Sequence, residues 1–299
     1  MTQRHVVILG GTGFVGRHLI ARLLQGGDRV TVLSRGVDPA KRRLKPQGAS
    51  LIEGDVADAD FLAAVLDDAD AVVNLTGILN EKGDRGDGFE RVFVGITDAL
   101  IDAMQRMGVR RLLQMSALNA GRGDSHYLQA RGRAEQRVRA SGLDWTLLRP
   151  SVIAGPGDGL FCRFDGLLKF APVLPIGRAD ARFQPVWVGD VVEAYAKALD
   201  EPRSIGQSYD LIGPDVLTLR QIVKLAARGH GRHRMVVGLP ASLGKLQAEV
   251  GEWLPGKPIS RDNWRSLQLD SVSLEDGLRR LNITPTPVES RLGEILAGC

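Results

Sequence analysis

The densest chemical signal in the chain is the run ILGGTGFVG at residues 8–16, which places four glycines within seven residues between an apolar run and a helical pattern. Gly11, Gly13 and Gly16 fit a G-x-G-x-x-G spacing, and Gly10, Gly13 and Gly16 fit G-x-x-G-x-x-G. Such glycines acquire meaning when a strand precedes them and a helix follows. The first ones allow a tight turn, Gly13 lets a pyrophosphate reach the amides of a helix N-terminus, and Gly16 allows the helix to pack close to the strand. With Thr12, Phe14 and Val15 between them, they form a candidate dinucleotide-binding turn. A carboxylate about 20 residues further on would bind the ribose hydroxyls of NAD, whereas an arginine suits the phosphate of NADP. Ser34 and Arg35 stand there, which favours NADP(H) over NAD(H). Lys41, Arg42 and Arg43 add positive potential and read equally well as a solvated charge run.

The elements that must hold this turn follow from periodicity. Residues 5–10, HVVILG, are apolar and rich in β-branched side chains, and Val15, Leu19 and Leu23 then share one helical face until Gly26 and Gly27. Strands are expected at 29–34, 49–55, 70–77, 109–118 and 144–150, with helices at 58–66, about 89–107 and 127–140. Gly108 is a plausible left-handed cap for the third of the four helices. Strands apolar on both faces, alternating with helices, predict an α/β fold with a doubly wound parallel Rossmann sheet. After Pro150 the sequence becomes turn-rich, apart from one strand–helix unit at about 184–200. Residues 1–152 plus about 184–200 therefore read as the dinucleotide-binding domain, and 153–183 with 201–299 as a smaller C-terminal substrate or interaction lobe. Ligand is expected between them, beside the carboxyl ends of the strands.

Composition narrows the class further. The chain has 299 residues, a net charge of +4 and 5% aromatic residues. No basic stripe is interleaved with aromatics, which argues against nucleic acid. Cys162 and Cys299 are the only cysteines, suggesting neither a disulfide framework nor a thiolate metal site, and so a reducing compartment. No apolar run of about 18 residues could span a bilayer, so the expectation is a cytoplasmic protein, with attachment at the inner membrane face still open. His5, His230 and His233 lack ligand spacing, and no metal is expected.

Taken together, GGTGFVG, GDVAD, NLTG, GVRRLLQMSALNA and LLRPSVIAGPGD resemble the short-chain dehydrogenase/reductase superfamily, in its extended or atypical, epimerase/dehydratase-like branch. GGTGFVGRHL, QMSALNA, RFQPVWVGDVVEA and SRDN are similar, more narrowly, to bacterial relatives of the NAD(P)H-binding accessory subunit of respiratory complex I. The resemblance implies that Asp55 and Val56 meet adenine and that Asn74, Leu75, Thr76 and Gly77 line the cofactor. It also puts Pro150 and Ile153 by the nicotinamide. It further implies a link to quinone or respiratory metabolism, often as a cofactor binder without a defined reaction.

In active members of that superfamily a tyrosine and a lysine four residues later lie on one helix face. The phenol exchanges a proton as hydride moves, and the ammonium lowers its pKa and holds the ribose. Here the stretch is YLQAR: Tyr127 is present and Arg131 replaces the lysine. A guanidinium is still cationic, but it is bulkier and cannot relay a proton as a neutral amine. Ser116 is the candidate for polarising a substrate carbonyl, although in one register Ala117 takes that place. Gln184 and Trp187 are expected on the substrate side. His126 reads as a surface-loop residue, and Leu243, Leu246, Val250 and Trp253, at helical spacing, as lobe core.

Two functions follow. One is an NADP(H)-dependent oxidoreductase acting on a carbonyl or quinone-like molecule through Tyr127, Arg131 and Ser116. The other is a non-catalytic NADPH-binding accessory subunit or redox sensor whose lobe meets a respiratory or membrane-associated partner. A nucleotide-sugar epimerase or dehydratase is a weaker third reading, since it too would want the lysine.

Overall fold

A computed structural model describes residues 3–35, 48–229, 234–254 and 257–299. Lys41, Arg42, Arg43, His230 and His233 lie outside the described residues. Strands β1 (His5–Leu9), β2 (Arg29–Ser34), β3 (Ser50–Glu53), β4 (Ala71–Asn74), β5 (Arg111–Met115) and β6 (Asp144–Pro150) are all parallel. A seventh strand, Gln207–Leu211, pairs parallel to β6 and completes the order Gln207–Leu211, β6, β5, β4, β1, β2, β3. The step from β3 back across β1 to β4 opens a crevice at the carboxyl ends, where ligands bind in such sheets.

Helices cover both faces, which is why these strands are apolar throughout. On one face helix α1 (Phe14–Gln25) and the helix Val188–Asp200 pack over Val6, Ile8, Val73, Leu113 and Leu148. On the other, the helices Ala59–Val65, Ile96–Met107 and His126–Ala140 pack over Val7, Leu9, Val72, Leu112 and Leu147. Gly108 ends its helix at φ 70, as expected of a left-handed cap. The helix expected over residues 89–107 begins instead with a π-helical segment, Glu90–Gly95, before the α-helical part. That wider turn sets the facing of the side chains that border the crevice. The strand Val186–Trp187 stays out of the large sheet and pairs with Ile153–Ala154.

Two expectations are corrected. Leu243, Leu246, Val250 and Trp253 are not lobe core: they are exposed, Trp253 by 82%. Their helix, Ala241–Gly251, packs through Gly244, Ala248 and Gly251 instead. A Cβ on Gly244 would lie 2.6 Å from the Trp264 ring, and one on Gly251 would lie 2.5 Å from the Ile259 carbonyl oxygen. The close approach of backbones selects the small residues for the buried face and leaves the large ones outside.

The second correction concerns the cysteines, which form a disulfide, with Cα atoms 4.9 Å apart across a separation of 137 residues. The helix Leu292–Ala297 packs on the helix Phe161–Phe170 through Ile295 and Leu168, and this brings the two thiols together. Sequence spacing carries no trace of that contact. The reducing compartment inferred from unpaired cysteines loses its basis. No helix among the described residues is long and apolar enough to cross a membrane.

Opening a loop this long should cost about 2–4 kcal/mol. Cys299→Ser is expected to lower the unfolding free energy by that amount under oxidising conditions, with a correspondingly lower denaturation midpoint, and to match reduced wild type. Equal midpoints for oxidised wild type and variant would show that the bond contributes nothing.

Candidate functional site

The glycine turn joins β1 to α1. Gly10 sits at φ +76, and a Cβ there would lie 2.9 Å from the carbonyl of Leu75, so both conformation and space demand glycine. The Gly13 amide donates to the Gly10 carbonyl at 3.0 Å and tightens the turn. A Cβ on Gly16 would come within 2.5 Å of the Gly11 backbone, the close packing the motif requires. Val15 is buried, Thr12 and Phe14 are half-buried, and Gly13 is exposed at the start of α1. No side chain caps that helix and its first turn holds no acid. Its amides and positive dipole end therefore suit an anion such as a pyrophosphate.

Toward the β2 side, Ser34 ends its strand half-buried and Arg35 is exposed. Arg35, Gly54, Asp55, Arg91 and Val92 line a cleft of about 700 Å³. Asp55 is exposed and its Oδ1 accepts the Ala57 amide at 3.0 Å, while Val56 is buried beneath. At the end of β4, buried Asn74 accepts from the Thr76 amide at 3.0 Å and the Thr76 hydroxyl at 2.6 Å. Its own amide donates to Gln114 at 3.0 Å. This buried chain fixes the segment holding Leu75, Thr76 and Gly77 against the turn. The bare glycines, uncapped helix and open cleft match the pyrophosphate and adenosine parts of a dinucleotide in shape and polarity.

Tyr127 and Arg131 lie at the other end of the crevice. Ser125 caps the helix His126–Ala140, putting Tyr127 and Arg131 on one face. The Tyr127 ring lies edge-on to Phe89 and Phe93, with centroids 5.9 and 5.4 Å away. Arg131 is 5% exposed: its Nη1 donates to the Met115 carbonyl at 2.7 Å, and its Cζ lies 3.9 Å from the Phe93 centroid. The guanidinium is thus clamped between the end of β5 and an aromatic face. Its Nε, and the hydroxyl of Ser116 just beyond Met115, are buried without a hydrogen-bond partner among the described residues. Ala117, the alternative to Ser116, is buried as well. Pro150 is buried and Ile153 half-buried in the segment that follows β6.

On the lobe side, Gln184 accepts the Ser273 amide at 2.7 Å through its side-chain oxygen, so that group ties the segment 271–273 to the crevice wall. Half-buried Trp187 has the Arg291 guanidinium 5.8 Å from its ring. Three residues of consequence escaped the sequence reading. Asp262, in the SRDN run, accepts from the Ser125 hydroxyl at 2.8 Å and from the His126 and Tyr127 amides at 2.6 and 3.2 Å. His126 is therefore held by its backbone in a cross-lobe joint. Arg17, directly after Gly16, has a buried Nε without a partner among the described residues. Its place in the first helical turn was the available signal. Arg91 borders the cleft from the π-helical segment, and no spacing rule pointed to it.

A glycine turn between the first strand and helix of a parallel sheet, beside its switch point, defines a dinucleotide-binding protein. Residues 10–162 match the model of the NAD(P)H-binding family, and the chain belongs to that family. It is 31% identical over 275 residues to the mitochondrial NADH dehydrogenase [ubiquinone] 1 alpha subcomplex subunit 9 of Arabidopsis thaliana, covering 89% of this chain and 68% of that one. To the corresponding subunit of Rattus norvegicus it is 29% identical over 299 residues, 97% of this chain and 78% of that one. A 3 beta-hydroxysteroid dehydrogenase/Delta 5-->4-isomerase of Mycobacterium tuberculosis is 28% identical over 271 residues, 79% and 72% of the two chains. Among solved structures, the UDP-glucose 4-epimerases of Thermotoga maritima and Thermus thermophilus share the fold. Their TM-scores are 0.78 and 0.69 at 17% and 23% identity, covering 98% and 87% of this chain and 98% and 99% of theirs.

Removing the Asp262 carboxylate leaves amides and a hydroxyl at the helix start unpaired, at a cost of about 1–3 kcal/mol. Asp262→Ala should lose that much stability in chemical denaturation, whereas an unchanged midpoint would deny the joint. Asp84 supplies a pH signature. Its hydrogen bonds from Arg265, at 2.5 and 2.8 Å, hold its carboxyl below the ordinary value. A depressed folded-state pKa contributes stability that is complete above the unfolded value of about 3.9 and lost as pH falls further. The stability difference between wild type and Asp84→Asn should accordingly shrink below pH ~4, and a difference that grows there would contradict the pairing.

Proposed function

We propose that this chain holds NADP(H) as a resident ligand, without turning it over, and serves as an accessory or redox-sensing subunit of a respiratory assembly. The observation that carries this reading is Arg131. Where a lysine would reach the phenol and the ribose, a buried guanidinium is committed to the Met115 carbonyl and the face of Phe93. Arg131 is then a structural clamp, and Tyr127 lacks a mobile cation to stabilise its phenolate.

Preference for the phosphorylated cofactor rests on Arg35 at the end of β2, where NAD binders carry a carboxylate. The partner and the setting come from likeness to the mitochondrial subunits named above. The exposed row Leu243, Leu246, Val250 and Trp253 is compatible with a partner or with peripheral attachment at the inner membrane face. One observation favours an oxidoreductase of carbonyl or quinone-like substrates instead: the Ser116 hydroxyl is buried without a hydrogen-bond partner among the described residues, and Tyr127 is retained.

Titration of tryptophan fluorescence should give NADPH binding at least about tenfold tighter than NADH, equivalent to about 1.4 kcal/mol. Arg35→Ala should sharply reduce the difference. NADPH should persist in the presence of wild-type protein and a panel of quinones and carbonyls. Consumption of NADPH that is lost in Tyr127→Phe would establish the oxidoreductase in place of the resident-ligand reading.

A further inference from the structure

The cleft beside Arg35 contains a second guanidinium that the family motif does not supply. Arg91 is exposed on the segment Glu90–Gly95, one residue before Val92, which with Ile96 forms the apolar floor of the same cleft. Val92 and Ile96 are 4% and 2% exposed, so the floor is fixed by the core beneath it. Three other arginines around this helix are paired with carboxylates. Arg106 pairs with Asp60 and Asp102, Arg133 with Glu90, and Arg137 with Asp98. The side chains of Arg91 and Arg35 have no hydrogen bond or ion pair among the described residues. Two uncommitted guanidiniums thus reach one cleft from different elements, the end of β2 and the π-helical turn.

Their chemistry suits a dianionic phosphate better than an adenine ring alone, because a planar guanidinium presents paired N–H groups to phosphate oxygens. The wide turn has a consequence here: a helix whose hydrogen bonds span one extra residue reorients the side chains on its face, and such turns often accompany binding sites. Two carboxylates, Glu53 and Asp55, border the same cleft, and Asp55 suits the exocyclic amine of adenine. Building on the NADP(H) reading above, we propose that Arg91 is a second specificity-determining residue, gripping the 2′-phosphate of the adenosine ribose together with Arg35.

The test uses the full chain and two small probes, adenosine 2′,5′-bisphosphate and 5′-AMP, titrated by calorimetry into wild type, Arg91→Ala, Arg91→Lys and Arg35→Ala. Loss of a charge-assisted phosphate contact should weaken the bisphosphate roughly tenfold or more. In Arg91→Ala that loss is expected with 5′-AMP unchanged, and Arg91→Lys should recover part of it. Equal weakening of both probes would make Arg91 an adenine-stacking residue and overturn the proposal. So would bisphosphate binding that falls in Arg35→Ala but not in Arg91→Ala, while leaving NADP(H) preference standing. If wild type binds the two probes alike, the preference itself fails.

Discussion

A guanidinium buried without a carboxylate partner among the described residues is the constraint around which the Tyr127 end of the crevice is arranged. Arg131 has to spend its charge on something, and it spends it on the Met115 carbonyl and the Phe93 ring. That choice binds together the end of β5, the π-helical segment carrying Phe93 and the helix carrying Tyr127. It also brings Nη2 to within 3.0 Å of where a Cβ on Gly77 would stand, so the glycine after Thr76 is needed for the arginine as well as for any cofactor. Arg131 is thus a rigid tie between the ends of β4 and β5.

The pyrophosphate end is built on a different principle, the absence of side chains. Gly10 and Gly16 let backbones meet where a methyl group would collide, and the amides of α1 remain available to an anion. Between the two ends, the buried chain from Gln114 through Asn74 to Thr76 keeps the loop after β4 in register. A lobe joint closes the far side, where Asp262 grips the start of the tyrosine helix from 135 residues away in sequence. The glycine turn and the surroundings of Tyr127 are therefore held by separate groups of residues.

Much of this was legible in the sequence. The glycine spacing and the apolar strands specify the sheet and the turn after its first strand because they are local signals, each confined to a strand–turn–helix unit. What escaped was long-range. The disulfide between Cys162 and Cys299 depends on the packing of two helices that no spacing rule relates. The row from Leu243 to Trp253 has the pattern of a core-facing stripe, yet the helix turns its glycines and alanine inward, because backbone proximity to Trp264 and Ile259 leaves no room for leucine. The seventh strand, Gln207–Leu211, is too polar to announce that it joins the sheet. Arg91 owes its position to a π-helical turn, which periodicity reads as an ordinary helix.

The account turns on whether Arg131 stays clamped when cofactor is present. A crystal structure of the NADPH complex tests this directly. The prediction is that the guanidinium remains on the Phe93 face with Nη1 bonded to the Met115 carbonyl, and that the Tyr127 hydroxyl does not face the reactive carbon of the nicotinamide. Finding Arg131 swung onto the nicotinamide ribose, with the Tyr127 hydroxyl poised over that carbon, would contradict the resident-ligand reading and mark the protein as an enzyme.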